Sequence, residues 1–384
     1  MVQSSRKLLF LMVLWMVFIK VNGQQKIIEG DSIVIVEAVL KKMNTNLNFV
    51  IVPGPVYNSA TNLGFAILPM FTYNVSRKDS LSPPSSTSAL LYMNFYGSWF
   101  IAAQQNLYFG QNKWRMISSI GYGDLRTKFF GIARDTAVVR NNDYVFVNQK
   151  TFIFTLSGYR KIYSGLYGGL EYSYFNINLR GVDSTASSAV NKAGVDTGTH
   201  SESQLIPGFV WDNRDDIFWS SRGFYSHLNF HFGSHWLLGD HDYFLISGFV
   251  SGYHKLLPHS KKLILAWRFF MQGSWGDVPY YQLANFGSGD GFRGYTHGKY
   301  VNHSEVNAQL ELRYDLWKFI SITGFLGSGK TFGQISDFGQ SVWLHSGGVG
   351  LYLTVIRSRN VRVGLNLAIS RHDYGLYVGL NQPF

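Results

Sequence analysis

The residues most suggestive of chemistry form a glycine-rich segment that ends in lysine and threonine. Residues 324–331, Gly-Phe-Leu-Gly-Ser-Gly-Lys-Thr, match the GxxxxGKT pattern of a phosphate-binding loop. Such a loop binds phosphate only when a helix follows it, because the loop amides and the helix N-terminus together hold the anion. Residues 332–339, Phe-Gly-Gln-Ile-Ser-Asp-Phe-Gly, are typical of a loop instead. We therefore predict that the chain binds no nucleotide and needs no cofactor.

The 11 histidines are the next candidates, either as metal ligands or as catalytic bases. His227 and His231 share one face of a predicted strand, but they lie about 13 Å apart at roughly 3.3 Å per residue, too far to share an ion. Thiolate ligands are excluded because the chain has no cysteine. The adjacent Ser226 and His227 would point to opposite faces of a strand and so cannot form a hydrolase site. We predict no metal site and no enzymatic activity.

The elements that must position any functional residue are β-strands, because apolar and polar residues alternate along most of the chain. In residues 361–369 every second residue is Val, Leu or Ile, and Arg, Gly, Asn and Ala stand between them. Residues 306–315 alternate in the same way. Successive side chains of a strand point to opposite faces, so each segment has one apolar face and one polar face.

The composition indicates which face is outside. The chain has 30 Phe, 23 Tyr, 10 Trp and 40 Gly, and only 15% of its residues are charged, whereas about 25% is usual in soluble proteins. The polar faces carry residues suited to a lumen, and aromatic residues cluster at strand ends, where a membrane interface would lie. Sixteen such segments predict an all-β fold, a sixteen-stranded antiparallel transmembrane β-barrel. A soluble β-sandwich is the alternative.

The two ends of the chain suggest its processing and location. Residues 1–23 place Arg6 and Lys7 before a short apolar run and small residues, which is the layout of a signal peptide. Residues 24–46 form a predicted periplasmic lead-in, and residues 47–384 form the barrel. This organisation predicts the cell outer membrane as the location. Within the barrel, residues 181–201 are rich in Ser, Thr, Ala and Gly and are predicted to be a loop.

The formal net charge of +11 is a weak indication of partners. We attribute it to solvated loops, with binding of the loops to anionic outer-membrane lipids and lipopolysaccharide as the alternative. No segment interleaves basic and aromatic residues as nucleic-acid binding would require, so we predict no nucleic-acid partner.

Two motifs go beyond a generic barrel. Residues 286–295 end in Arg293-Gly294-Tyr295 and lie in a long connection between predicted strands. Residues 211–216, Trp-Asp-Asn-Arg-Asp-Asp, precede Gly223, which stands eleven positions after Asp212, and the motif includes Arg214 and Asp215. With the alternating terminal strand that ends at Phe384, these residues resemble the BamA/TamA family of outer-membrane assembly barrels, the surface-antigen type.

The resemblance implies a sixteen-stranded barrel in which the loop that carries Arg293 is folded into the lumen. It also implies that Glu311, an acid on the inner wall, holds this arginine, and the alternation independently places Glu311 on the polar face. A second acid of the family pattern falls at Gly327 here. We therefore expect Glu311 to carry more of the anchoring, helped by Asp290 or Asp315.

The function implied by the resemblance is insertion or export of outer-membrane proteins, with nascent outer-membrane proteins and periplasmic or membrane partner subunits as partners. Only some two dozen mature residues would precede the first strand, so the chain resembles a member that lacks POTRA repeats. Ser220 replaces the proline of the family's turn motif. A structural or channel-forming barrel without insertase activity is the main alternative, and a passive porin is the other.

The first predicted strand, residues 48–58, contains Pro53 and Pro55. Proline has no amide hydrogen to donate, so within sheets it is confined to edges and bulges. The first and last strands must pair to close the barrel. We therefore predict a short or irregular pairing between the first strand and the last, which ends at Phe384, and in the family this seam is the lateral gate.

Overall fold

The computed structural model describes residues 48–58, 62–132, 144–257, 262–287, 292–371 and 373–380. The predicted signal peptide and lead-in, Asp290 and Phe384 lie outside the described residues. Among the residues just given, no helix is long and apolar enough to cross a membrane.

The described residues form eighteen strands. Sixteen of them make one closed antiparallel barrel, which confirms the predicted fold class, and the other two form a small separate sheet. In chain order the strands are β1 Asn48–Asn58, β2 Asn62–Tyr73, β3 Ser85–Asn94, β4 Trp99–Phe109, β5 Trp114–Phe129, β6 Val145–Tyr163, β7 Leu166–Gly181, β8 Gly198–Asp212, β9 Gly223–Gly233, β10 Tyr243–Lys255, β11 Leu263–Gly276, β12 Ala284–Asn285, β13 Val301–Asn302, β14 Ser304–Asp315, β15 Ile320–Phe332, β16 Leu344–Ile356, β17 Val361–Ser370 and β18 Tyr374–Leu380. The two-residue strands β12 and β13 pair only with each other, and β11 pairs directly with β14. Short 3-10 turns cover His235–Leu237, Tyr280–Gln282, Ile335–Gly339 and Arg357–Arg359.

The alternating sequence explains both the strands and their orientation. In β14 the polar residues at odd positions are buried, as the fully covered Glu311 and Arg313 show. Leu310 and Leu312 between them are 45% and 44% exposed. An apolar surface on the outside of a closed sheet suits lipid, and a polar interior suits a lumen. The core of this protein therefore lies inside the barrel, among polar and aromatic side chains.

The two ends of the barrel differ in their connections. We call the end where β1 begins the lower end and the opposite end the upper end. Three lower connections are short, namely residues 164–165, 316–319 and 357–360. The longest connection at the upper end is residues 277–303, of which 277–287 and 292–303 are described, and we call these described residues the inward loop. Its rings Phe286, Phe292, Tyr295 and Tyr300 form a buried cluster with Leu344 of β16, so the loop fills part of the lumen.

The connection between β7 and β8 differs from the sequence prediction. We expected residues 181–201 to be a loop, but helix α1 covers Ser184–Lys192. Asp183 caps the helix by accepting the amide of Ala186 at 2.8 Å. Val190 is completely buried in a cluster with Phe129 and other apolar residues of the neighbouring strands. Capping and tertiary burial therefore stabilise a helix that its small-residue composition alone did not indicate.

The described strand pairing is shortest where the barrel closes. Strand β1 pairs with β2 along its whole length, from Asn48 opposite Thr72 to Asn58 opposite Asn62. With β18 it forms a single described pair, Tyr57 opposite Leu376. Strand β18 pairs with β17 along its whole described length. We call the junction of β1 and β18 the seam.

Candidate functional site

The Arg-Gly-Tyr motif lies inside the barrel because the inward loop enters the lumen from the upper end. Gly294 permits this course in two ways. Its φ of +105° lies in a region that residues with a side chain rarely adopt, and a Cβ there would lie 2.9 Å from the Cβ of Ser346. The backbone of the loop thus passes too close to β16 for any residue larger than glycine.

Arg293 binds the inner wall through three contacts. Its Nη2 donates to Glu311 Oε2 at 2.6 Å, and its Nη1 donates to Asn366 Oδ1 at 2.8 Å. The guanidinium also lies 3.5 Å from the centre of the Phe325 ring. The second oxygen of Glu311 accepts Nε of Arg313 at 2.7 Å. The structure therefore brings together Arg293 and Glu311, and one buried carboxylate holds two guanidinium groups.

The additional acceptor for Arg293 is Asn366 of β17, which sequence reasoning missed. Asp315 does not assist, because it pairs with Arg362 at 2.7 Å. Gly327 leaves no room for an acid, since a Cβ at this position would lie 2.8 Å from the ring of Phe292. Aromatic packing of the inward loop thus occupies the place where the family pattern has its second carboxylate.

The rest of the inward loop holds the last strands. The Tyr295 hydroxyl donates to the carbonyl of His345 at 2.8 Å, and burial raises the pKa of this tyrosine, so it stays protonated as a donor. The Gly294 amide donates to the hydroxyl of Tyr377 in β18 at 3.0 Å. Lys299 pairs with Asp373, between β17 and β18, at 3.2 Å. The loop therefore supports both β18 and the turn before it from inside the barrel.

The second motif forms a separate ion cluster at the lower end. Asp212 accepts Nε of Arg214 at 2.8 Å and Nη1 of Arg115 at 2.9 Å. Asp215 accepts the backbone amide of Ser221 at 2.8 Å, which closes the connection on itself. Gly223 has a φ of +101°, and a Cβ there would lie 2.5 Å from the carbonyl of Asn213. All four motif residues therefore shape this connection.

The connection that this motif shapes is residues 213–222, which we call the floor segment. It turns into the lumen instead of away from the barrel, and Phe218, Trp219, Ser220 and Ser221 are buried. Ser220, in place of the family's proline, donates its hydroxyl to the carbonyl of Asp216 at 2.7 Å. Sequence reasoning missed the floor segment. The signal was the run Ile-Phe-Trp at 217–219, because such an apolar run is unusual in a solvated turn.

The phosphate-loop pattern has a structural role. Gly324 to Thr331 lie within β15, so the glycines continue as a strand and no α-helix begins directly after Thr331. Lys330 donates to the carbonyl of Phe338, and its ammonium lies 3.5 Å from the centre of the Phe338 ring. Across the described ranges, no three His, Asp or Glu side chains form a group that could hold a metal ion.

The seam carries the two prolines. Pro53 lies opposite Ile67 of β2, and Pro55 lies opposite Phe65. Residues two apart in a strand direct their backbone groups to the same neighbour, so one edge of β1 lacks two amide donors. Between Tyr57 and the end of the described part of β18 at Leu380, no further pair joins the two strands.

Comparison with known proteins identifies the family of this barrel. The Omp85 superfamily domain matches residues 86–384. The chain belongs to the Omp85 superfamily. It is an outer-membrane β-barrel of the class that inserts or secretes outer-membrane proteins, and the resemblance stated from its motifs is confirmed at this level.

Two solved structures share the fold of this Omp85 chain. One is BamA from Haemophilus ducreyi lacking POTRA domains 1-3, with a TM-score of 0.54 and 14% identity, and the match covers 93% of this chain and 79% of that one. The other is CdiB from Acinetobacter baumannii, with a TM-score of 0.53 and 11% identity, and the match covers 88% of this chain and 65% of that one. A comparison with curated proteins finds no match.

Proposed function

We propose that this Omp85 barrel inserts or exports outer-membrane proteins through its seam. The observation that carries the proposal is that the described residues of β1 and β18 share a single pair, Tyr57 with Leu376, whereas the other neighbouring strands share long ladders. An unpaired strand edge presents free amide and carbonyl groups and is a template for another strand. We propose that a strand of a client protein pairs with β1 when the seam opens.

The filled lumen supports a seam route over passive diffusion. The aromatic cluster of the inward loop and the buried floor segment occupy the interior from opposite ends. A passive porin needs a continuous aqueous channel, which such packing opposes. The remaining alternative is a structural or channel-forming barrel without insertase activity.

The proposed partners are nascent outer-membrane proteins, together with periplasmic or membrane partner subunits. Outer-membrane lipids and lipopolysaccharide would contact the apolar outer wall and the basic loops. The proposal agrees with the fold that this chain shares with BamA and CdiB. We propose no enzymatic step, no cofactor and no nucleic-acid partner, because pairing of strands requires none.

A disulfide across the seam tests this proposal, and the natural chain contributes no competing thiol. We would introduce Tyr57→Cys with Leu376→Cys, since these two residues are direct partners. Directly opposite residues of antiparallel strands have Cβ atoms about 4.5–5.5 Å apart, near the range for a disulfide. The readout is assembly of a client barrel in liposomes that contain the variant, measured by its gel mobility without heating.

The matched control uses residues that lie directly opposite one another on the strands next to the seam. Leu376 lies opposite Leu367, and Leu367 lies opposite Val349, both within continuous ladders. A Val349→Cys and Leu367→Cys disulfide therefore adds a crosslink to the wall but leaves the seam free. We expect oxidation to stop client assembly only in the seam variant, and a reducing agent to restore it. Full activity of the oxidised seam variant would reject the proposal.

A further inference from the structure

The floor segment occupies an unusual position for a connection between adjacent strands. It leaves β8 at Asp212 and enters β9 at Gly223, yet its apolar residues reach the far side of the barrel. Phe218 is buried in a cluster with Met70 of β2, Ile356 of β16 and Val361 of β17. Val50 of β1 packs against the same cluster. These partners lie on both sides of the seam.

The described contacts across the seam differ between its upper and lower ends. Its single described pair, Tyr57 with Leu376, lies near the upper end, because β1 begins at the lower end and Tyr57 is close to its last residue. The Phe218 cluster instead contains Val50, near the start of β1, and Met70, which lies opposite Val50. Among the described residues, backbone pairing at the upper end and side-chain packing at the lower end thus join the two sides.

The floor segment is also tied to the strands beyond the seam. Asp216 Oδ1 accepts the amides of Phe218 at 2.7 Å and Trp219 at 2.9 Å, which fixes the local turn. Its other oxygen accepts Nδ2 of Asn360 at 2.7 Å, in the turn between β16 and β17. One carboxylate therefore both shapes the apolar run and attaches it to the far wall.

Trp219 connects the floor segment with the Arg293 site. The guanidinium of Arg362 lies 3.6 Å from the centre of the indole ring, and the Tyr352 ring meets it edge-on at 5.3 Å between centroids. The Tyr352 hydroxyl donates to Asn366 Oδ1 at 3.0 Å, and Asn366 also accepts Arg293. The inward loop and the floor segment therefore meet through a shared set of side chains on β16 and β17.

We infer that Ile217, Phe218 and Trp219 form a clasp that holds the lower end of the seam closed from inside the lumen. The inference rests on the proposed function, in which the seam opens. Separation of β1 from β17 and β18 requires the Phe218 cluster to divide, because it includes residues of both sides. Phe218 and Asp216 are thus positioning residues of the gate.

The variant Phe218→Ala tests the clasp without any client protein. We would purify the whole barrel, confirm its fold by gel mobility without heating, and record conductance in a planar bilayer. Truncation of a buried phenylalanine is among the most costly core changes, so we expect openings to become at least about tenfold more frequent. The matched control is Phe209→Ala on the lipid side of β8, where the ring is 46% exposed, and this variant should behave as the parent.

A second, milder variant keeps the test decisive if Phe218→Ala fails to fold. Asn360 has a φ of +52°, so Asn360→Gly retains the backbone conformation and removes only the amide that binds Asp216. We expect a smaller increase in openings. In either background, the Tyr57→Cys and Leu376→Cys disulfide should abolish the added openings when oxidised. Unchanged openings in the folded variants, or openings that persist with the seam locked, would overturn the clasp.

The clasp and the proposed function can fail separately. Added openings that the seam disulfide abolishes, in a barrel that assembles no client, would support the clasp and reject the insertion function. The opposite result is that the seam disulfide stops client assembly, but neither Phe218→Ala nor Asn360→Gly changes the frequency of openings. That result would reject the clasp and leave the insertion function standing.

Discussion

Arg293 and Glu311 form a 2.6 Å ion pair in the interior of the barrel, and their side chains are 4% and 0% exposed. A pair so completely removed from water is costly to break, because the remaining charge loses its partner. Glu311 also holds Arg313, so the carboxylate serves two cations. The pair joins the inward loop to β14 and thereby fixes the loop in the lumen.

Replacement of either partner should therefore destabilise the barrel markedly. For Arg293→Ala or Glu311→Gln we expect a loss of about 3–5 kcal/mol in the free energy of unfolding, as for other buried pairs. The measurement is the temperature at which the unheated form on a gel converts to the unfolded form. The control is Arg222→Ala, at an exposed position of the floor segment, which should change this temperature little. Equal melting of Arg293→Ala and the parent would contradict the anchoring role.

Gly294→Ala should destabilise the protein for two reasons, a strained backbone conformation and crowding of the added Cβ. Gly298 also has a positive φ, +83°, but its nearest neighbour would lie 3.4 Å from an added Cβ. Gly298→Ala should therefore show only the backbone cost, about 1–2 kcal/mol for a left-handed residue. Gly294→Ala should cost more, because its Cβ would meet Ser346 at 2.9 Å. Ser346→Gly in the Gly294→Ala background should recover only the additional part, and equal costs at both glycines would exclude the crowding.

The sequence predicted the barrel well because alternation is a local property. β1 has the predicted bounds, Asn48–Asn58, since a strand needs only its own pattern of apolar and polar residues. The same alternation placed Glu311 on the lumen-facing side, and the resemblance to the family named it as the partner of Arg293.

The features that the sequence missed depend on closure of the sheet. Asn366 is one of many polar residues on lumen faces, and only the three-dimensional path of the inward loop selects it as the partner of Arg293. The cluster of Phe218 with Val361 and Val50 joins residues far apart in the chain. No local pattern encodes such a contact, although an apolar run inside a polar turn motif was a usable sign.

The stability of the loop between β9 and β10 should depend on pH. Hydrogen bonds from the Ser234 hydroxyl and the His235 amide and side chain lower the pKa of Asp242 from 3.8 to about 2. A carboxyl with a lowered pKa in the folded state stabilises the loop above its unfolded pKa, and this stabilisation disappears as the pH falls from about 4 to about 2. NMR titration of the Asp242 carboxyl would measure its pKa. Ser234→Ala should raise the pKa toward 3.8, and an unchanged value would contradict the assigned cause.

Asp373 should determine how firmly β18 is held to the inward loop. It accepts the Thr296 hydroxyl at 2.9 Å and pairs with Lys299, whose side chain is almost completely buried. Asp373→Asn retains an acceptor for Thr296 but removes the charge that balances the ammonium. We expect this change to lower the unfolding temperature and to speed hydrogen exchange in Tyr374–Leu380, because the turn before β18 loses its attachment.

A double variant distinguishes this ion pair from a general effect of the substitution. Lys299→Met together with Asp373→Asn removes both charges, so it should be less destabilised than Asp373→Asn alone. The exposed Asp196 provides the matched control, since Asp196→Asn changes the same charge on a surface loop. Two results would show that the inward loop does not hold the last strand through this pair. One is hydrogen exchange in β18 that is no faster in Asp373→Asn than in Asp196→Asn. The other is a loss of stability in the double variant equal to the sum of the losses in the two single variants.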